Sequence, residues 1–425
     1  MNKTILLIGN HPPPFGGVPT HIRYLAPHLV ANGWTVHVLA FTGIARWGLS
    51  DTKLVDGYTI HRPAKSILWI HVALAIPRLG PLLRRLGMEG LRHPKLLFWK
   101  LGASTFVRKL VIREKVSLIS AYHATAGLFG AFAAEELGIP LVTTIFGELY
   151  AQPEHYRSVR SQVAYMCRIS RRLLSCSSHC ADSFRAIGMR ERAEAVHYGI
   201  DTRTFNPGND GSKIRQTMGI SPEDVVVGYV GRMEREMGLH VLLESIPLVL
   251  AANPAIRFLI VGKSATLTES ASDCSARHPG SVFVMSDASF TDLPLAYAAA
   301  TLVVVPSINE RACLGLAIVE AAATGKPVIV SDVGGGPEVV DPEIGFLVPP
   351  GKPDALSQAI ITMASDSAKM REMGRKGREK MAMFFDKETT NRKMESIFME
   401  SLGTGSKTPI RVPSQDAVSA PEKAA

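Results

Sequence analysis

Uninterrupted hydrophobic runs of four to seven residues recur along the chain, each closed by glycine, proline or a small polar residue. Between them lie longer stretches with apolar positions at helical spacing. The first run, TILLIG at 4–9, lacks polar alternation and predicts a strand buried on both faces. A loop rich in proline and glycine, NHPPPFGGVP at 10–19, leads to a helix over about 20–31 that Asn32 and Gly33 stop. Further strands are predicted over 34–40, 117–121, 141–146, 173–177 and 195–197, with helical segments between them. Alternation of this kind is that of a doubly wound parallel sheet.

At 199–211, GIDTRTFNPGNDG, the chain turns polar and rich in turn formers. A first domain over 1–203 and a second over 204–385 follow from that break. The second opens on VVVGYVG at 225–231 and continues through predicted strands at 258–261, 282–285, 302–306, 327–331 and 345–348. Two consecutive α/β domains predict a cleft facing the C-terminal ends of their strands, where ligands bind in such sheets. Helices are expected over 353–365 and 368–385, then a helix over 386–401 that crosses back to the first domain. The tail at 402–425, dominated by Gly, Ser, Pro and Ala, is expected to be disordered.

A length of 425 residues agrees with two cores, and 46% hydrophobic with 20% charged residues is a globular composition. Five irregularly spaced cysteines, Cys167, Cys176, Cys180, Cys274 and Cys313, read as reduced and structural, without a metal. The apolar start is shorter than a signal-peptide core, and the longest membrane candidate, ILWIHVALAI at 67–76, has ten residues. A cytoplasmic chain is the expectation.

The net charge of +9 is concentrated: twelve Lys and Arg lie between Arg62 and Lys115, against Glu89 and Glu114. Trp69, Leu82, Leu83, Phe98 and Trp99 interleave with them. A basic amphipathic segment over 62–115 suits an anionic membrane surface or an acidic substrate, or else is a solvated face around a local core. No nucleic-acid motif accompanies the charge.

Four features carry candidate chemistry. Gly16 and Gly17 stand in the first strand–helix loop, where glycine admits a ligand close to backbone N–H groups. Arg232 directly follows VVVGYVG, placed to pair bidentately with a diphosphate or simply to cap the strand. Glu320 is a lone acid in the apolar helix after Gly315-Leu316. It needs donors if buried, from a vicinal diol or from a basic side chain. Gly334-Gly335-Gly336 opens a helix that starts with Pro337 and Glu338, a pattern compatible with phosphate binding and with ordinary helix-start chemistry.

Together these motifs resemble glycosyltransferase family 4, retaining sugar-nucleotide transferases of the GT-B fold. PPFGGVPTH (13–21), YGIDTRTFNP (198–207), VGR (230–232), IVGK (260–263), DLPLAYAAATLVVVPS (292–307), LGLAIVEAAATGKPVIVSDVGG (314–335) and GFLVPPG (345–351) occur in the family's order. The resemblance covers residues 4 to about 401. It implies two Rossmann-like domains facing across a cleft, with Gly16 and Gly17 lining the diphosphate and acceptor side. Arg232 would bind and stabilise the leaving diphosphate, Leu314, Gly315 and Leu316 would contact the same group through backbone, and Glu320 would hold the ribose.

Three positions depart from the family pattern. Phe146 stands where a histidine near the transferred sugar is usual, Met237 where a lysine is usual, and Ala312 where a first glutamate is usual. Arg235 and Glu310 lie two residues from the latter two positions. The implied activity is transfer of a hexosyl group, with retention, from a nucleotide-diphosphate sugar to a hydroxyl of a lipid-linked or polysaccharide acceptor. No cofactor or metal is required, and the protein sits at most peripherally on the inner face of the cell membrane. The alternatives are a catalytically impaired relative acting as nucleotide-binding partner or scaffold, and another GT-B enzyme such as a sugar-nucleotide epimerase.

Overall fold

The computed structural model describes residues 3–11, 16–41, 51–64, 80, 94–151, 160–263 and 265–403. Much of the basic segment, at 65–79 and 81–93, and the tail from 404 onward lie outside the described residues. The chain divides into two compact units, Met1–Cys176 with Cys180–Val196 and Arg392–Ala425, and Ser177–His179 with His197–Asn391.

In the first unit the described strands are β1 (Thr4–Ile8), β2 (Thr35–Leu39), β3 (Asp51–Val55), β4 (Tyr58–Arg62), β5 (Leu118–Tyr122), β6 (Leu141–Ile145), β7 (Arg172–Ser175) and β8 (Ala193–Ala195). They form one sheet in the order β3-β4-β2-β1-β5-β6-β7-β8, parallel except for the β3–β4 hairpin. All residues of β1, β5 and β6 are buried, which explains their largely apolar sequences, with Thr4, Ser120, Thr143 and Thr144 the small buried polar exceptions. Helices Pro94–Arg113 and Ala124–Leu137 build the core, where Phe129 meets the rings of Trp99 at 5.1 Å and Phe41 at 5.2 Å.

Strand β1 pairs with β2 on one side and β5 on the other, so the connections change direction there. That switch point, at the C-terminal ends of β1 and β5, is the ligand-binding position of open α/β sheets.

The second unit holds β9 (Val226–Val230), β10 (Arg257–Gly262), β11 (Val282–Ser286), β12 (Leu302–Val305), β13 (Val328–Ser331) and β14 (Gly345–Val348), all parallel, in the order β11-β10-β9-β12-β13-β14. Its switch point falls between β9 and β12. Phe258, Leu242, Ile260 and Leu302, each fully buried, centre its core.

Two local expectations are corrected. The first helix spans Gly17–Ala31 and takes in the end of the predicted loop, because proline at Pro19 costs nothing in a first turn whose N–H groups have no intrahelical partner. The last strand of the first sheet is β8 at Ala193–Ala195, two residues earlier than 195–197. Val196 lies just past it and donates its N–H to Ser175 O at 2.7 Å.

Helix Lys387–Gly403 begins among residues of the second unit and continues among those of the first. In the first unit its Glu395 accepts hydrogen bonds from Trp34 Nε1 at 2.9 Å and Asn32 Nδ2 at 2.8 Å, and lies 3.0 Å from His28 Nε2. The buried Phe398 packs edge-on to Trp34. No described helix is long and apolar enough to cross a membrane.

Candidate functional site

Strand β9 ends at Val230, and the next two residues put Arg232 at the switch point of the second sheet. Gly231 N–H continues the ladder to Val261 O at 3.0 Å. A side chain on the neighbouring Gly262 would meet the Gly231 carbonyl at 1.7 Å, so the strand ends close together only because that position is glycine. The Arg232 side chain is 56% exposed and paired with Glu234, two residues on. The Tyr229 hydroxyl donates to Arg232 O at 2.7 Å and fixes the backbone that carries the guanidinium.

The loop after β12 lies against this one. Gly238 has φ +75°, and a Cβ there would lie 1.6 Å from Pro306 O. Arg311 Nη1 reaches Glu236 Oε1 at 2.7 Å across the same seam. Gly315, at φ +75°, then turns the chain into helix Leu316–Ala323. Leu314 is buried, while Gly315 and Leu316 are partly exposed at the helix N-terminus, where unpaired N–H groups and the helix dipole favour an anion.

Glu320, on the second turn of that helix, is 7% exposed. Among the described residues, neither a lysine nor an arginine forms an ion pair with it. Tyr297 donates its hydroxyl to Glu320 Oε2 at 2.9 Å. Burial pushes the carboxyl up to about 7, against the downward pull of that hydrogen bond. Burial also raises the Tyr297 phenol, with the Glu320 charge adding to it, so the phenol remains a donor.

The triple glycine has a packing role. Gly335 N–H donates to Ala312 O at 2.9 Å, and side chains at Gly334 and Gly335 would meet the Ala312 and Cys313 carbonyls at 2.0 and 1.7 Å. Glu338 also does more than begin a helix. It accepts from the Ser178 and His179 N–H groups at 2.8 and 2.7 Å and pairs with His197 Nε2 at 3.3 Å. Burial alone would raise its carboxyl; the His197 and amide hydrogen bonds outweigh that and hold it low.

The structure brings Arg232, Leu314, Gly315, Leu316 and Glu320 to adjoining loops and one helix of the second unit. Gly16 and Gly17 belong to the first, where Gly16 precedes the first helix and accepts from Thr20 N–H at 3.0 Å. At the variant positions, Met237 packs against the second core, Arg235 is exposed, and Ala312 offers its carbonyl to Gly335. Glu310 is exposed, and its carbonyl stands 2.8 Å from His179 Nε2. The buried Phe146 touches the His123 ring at a centroid distance of 4.8 Å.

Sequence reasoning missed Tyr229 and Tyr297. Tyr229 was within reach, as the aromatic residue in the VVVGYVGR motif. Tyr297 lies 23 residues from its partner with no motif to mark it.

Two family models match the chain: Glycosyltransferase Family 4 over residues 15–204, and Glycosyl transferases group 1 over residues 224–366. The chain belongs to the family 4 glycosyltransferases of group 1. A D-inositol 3-phosphate glycosyltransferase of Segniliparus rotundus is 28% identical over 61% of this chain and 61% of its own length. A GDP-mannose-dependent monoacylated alpha-(1-6)-phosphatidylinositol monomannoside mannosyltransferase of Corynebacterium glutamicum is 30% identical over 45% of this chain and 52% of its own length. The chain thus spans between half and two thirds of these curated relatives.

Among solved structures, sucrose-phosphate synthase from Thermosynechococcus elongatus superposes with a TM-score of 0.74 at 20% identity, covering 94% of this chain and 98% of that one. HepE of Anabaena, solved with UDP, gives 0.71 at 21% identity, covering 94% and 100%. These likenesses establish the fold, two parallel-sheet Rossmann-like units of the GT-B type.

Proposed function

We propose that the protein is a retaining hexosyltransferase that moves a hexosyl group from a nucleotide-diphosphate sugar to a hydroxyl of a lipid-linked or polysaccharide acceptor. The observation that carries this reading is the grouping, at one switch point, of an exposed arginine, a helix N-terminus opened by Gly315 and a buried carboxylate held by a tyrosine. Arg232 exchanges Glu234 for the diphosphate and stabilises the charge that develops as it leaves. The N–H groups around Leu314–Leu316 share that charge, and Glu320 accepts from the ribose hydroxyls. With these donors in place the reaction needs no metal. The relatives support the class of donor: one is named for GDP-mannose, and HepE has been solved with UDP-glucose.

The test is a melting scan with UDP, GDP, ADP and their sugars, followed by hydrolysis of the sugar nucleotide that binds, with and without EDTA. A ligand bound only by the folded state at a hundredfold excess over Kd adds about 2.7 kcal/mol of stability. A shift with one nucleotide series and chelator-insensitive hydrolysis is expected.

Phe146, Met237 and Ala312 favour a second reading, a nucleotide-binding partner without turnover, because each replaces a polar group expected at the donor site. Binding without hydrolysis, with or without acceptor, would select it. The basic segment adds a location, an anionic membrane face on the cytoplasmic side where a lipid-linked acceptor would lie.

A further inference from the structure

The second sheet has an edge that the donor site does not use. Arg232 and Gly315 stand at the C-terminal ends of its strands. At the opposite ends, where the chain enters β12 and β13, lies a cavity of about 240 Å³. It is lined by Arg215, Lys326 and Arg371, and by Thr301, Ser367 and Met370. None of the described residues lining it is acidic.

Each cation comes from a different element. Arg215 belongs to the short helix Ser212–Thr217. Its Nε donates to Ala299 O at 2.9 Å, its Nη1 to Ser221 O at 2.8 Å and its Nη2 to Thr301 Oγ1 at 3.2 Å. These acceptors are neutral, so they fix the guanidinium without cancelling its charge. Lys326 follows helix Leu316–Ala323 and donates to Ala298 O at 3.0 Å, which leaves two of its three N–H groups unspent. Burial, with the Arg215 charge adding to it, pulls the Lys326 amine down to about 8. Arg371 lies near the start of helix Ser367–Phe384, is exposed, and has no hydrogen-bond or ion-pair partner among the described residues.

The acids on the flanking segments are engaged elsewhere. Asp224 pairs with Arg257 at 3.5 Å, and Glu372 with Arg375 at 2.7 Å. Asp366 caps its helix by accepting from Lys369 N–H at 2.9 Å.

Three cations around one cavity repel one another, and an anion would relieve both that repulsion and the desolvation of Lys326. The volume lies below the range of organic-ligand pockets, roughly 300–1,000 Å³, and suits a compact oxyanion. A guanidinium fork beside an ammonium is the donor set for phosphate oxygens.

We propose that this cavity is a second anion site, which binds a phosphate dianion, free or carried on a small molecule, through Lys326 and Arg371. Arg215 supplies fixed positive charge. The site does not depend on the transferase reading. A purely structural reading gives Lys326 and Arg215 the task of holding the Ala298 and Ala299 carbonyls, and gives Arg371 none.

The test titrates the full chain with inorganic phosphate at constant ionic strength, chloride replacing it in the reference, and follows Tm. Saturable stabilisation is expected. Arg371→Ala should melt like wild type without phosphate, and should bind phosphate roughly ten- to hundredfold more weakly, the value of a charge-assisted hydrogen bond. Lys326→Met should lose as much, and Lys326→Arg, which keeps the charge, less. Arg232→Ala should retain the stabilisation, because its change lies at the other edge of the sheet. Glycerol 3-phosphate run in parallel separates the two sources. Tighter binding than inorganic phosphate identifies a carried phosphate, and equal or weaker binding the free ion.

Calorimetry with sulfate, which has no titrating proton near neutrality, gives an independent readout. At pH 8, in two buffers of different ionisation enthalpy, binding should take up protons as Lys326 is recharged, and Lys326→Met should show no uptake. Phosphate stabilisation that is absent in wild type, unchanged in both Arg371→Ala and Lys326→Met, or lost in Arg232→Ala alone overturns the proposal. Each of these results leaves the transferase reading intact, whereas failure of the nucleotide scan leaves this site untouched.

Discussion

Glu320 pairs with a phenol inside an apolar helix–sheet layer, and its ionisation is therefore tied to folding. An ordinary glutamate titrates near 4.5, and in the folded protein this one titrates near 7. The folded state holds the extra proton between those values, so raising the pH from 4.5 to 7 removes stability, on the order of 3 kcal/mol once the group is ionised. Glu320→Gln should abolish this component. Urea unfolding at pH 5 and pH 8 should show a fall for wild type that the variant lacks, together with a smaller nucleotide-induced Tm shift in the variant.

Arg232 behaves in the opposite way. Its side chain is mostly in solvent and its pairing with Glu234 is local, so Arg232→Ala should change stability by no more than about 0.5 kcal/mol. Turnover should fall about a hundredfold or more, the usual effect of losing one donor to a developing anion. Single-turnover kinetics beside a melting curve would separate the two effects, and near-normal turnover would remove Arg232 from the mechanism.

The two loops of the second switch point stand as one body because glycine lets backbone meet backbone. Gly238→Ala combines a positive φ with a Cβ 1.6 Å from Pro306 O and should cost more than about 2 kcal/mol. Gly351→Ala is the control. Its φ is +68° but nothing lies within 4 Å of the added carbon, so only the backbone term, about 1 kcal/mol, applies. Urea midpoints of the two variants test the difference.

At this scale the sequence was most legible where strands are buried on both faces, as in β1 and β9, since no polar side chain interrupts the apolar run within them. The β3–β4 hairpin escaped because β3 is largely exposed and carries no such run, although Asp56-Gly57, with φ +46° and +82°, is a strong turn signal. Arg232 and Glu320 could be read from motifs contiguous with a strand or helix. The Tyr297–Glu320 pair could not, because packing of neighbouring helices joins residues more than twenty positions apart.

For the molecule as a whole, the charge excess sits almost entirely in one stretch, and that gives it a salt dependence. Vesicles containing anionic lipid should bind the full chain at low ionic strength and release it as salt rises, since screening shortens from about 10 Å at 0.1 M to about 3 Å at 1 M. Cosedimentation with neutral and anionic vesicles at the two salt levels measures it, and equal binding at both would exclude an electrostatic contact.

Helix Lys387–Gly403 has a consequence for biosynthesis. Trp34, His28 and Asn32 leave the ribosome 361, 367 and 363 residues before Glu395, which with Phe398 packs onto them. At roughly 5–20 residues per second, Trp34 waits about 20–70 s for its partner Glu395. During that interval the surface around Trp34 is open to chaperones or to misassembly, and the entire second unit is synthesised before the first can be finished.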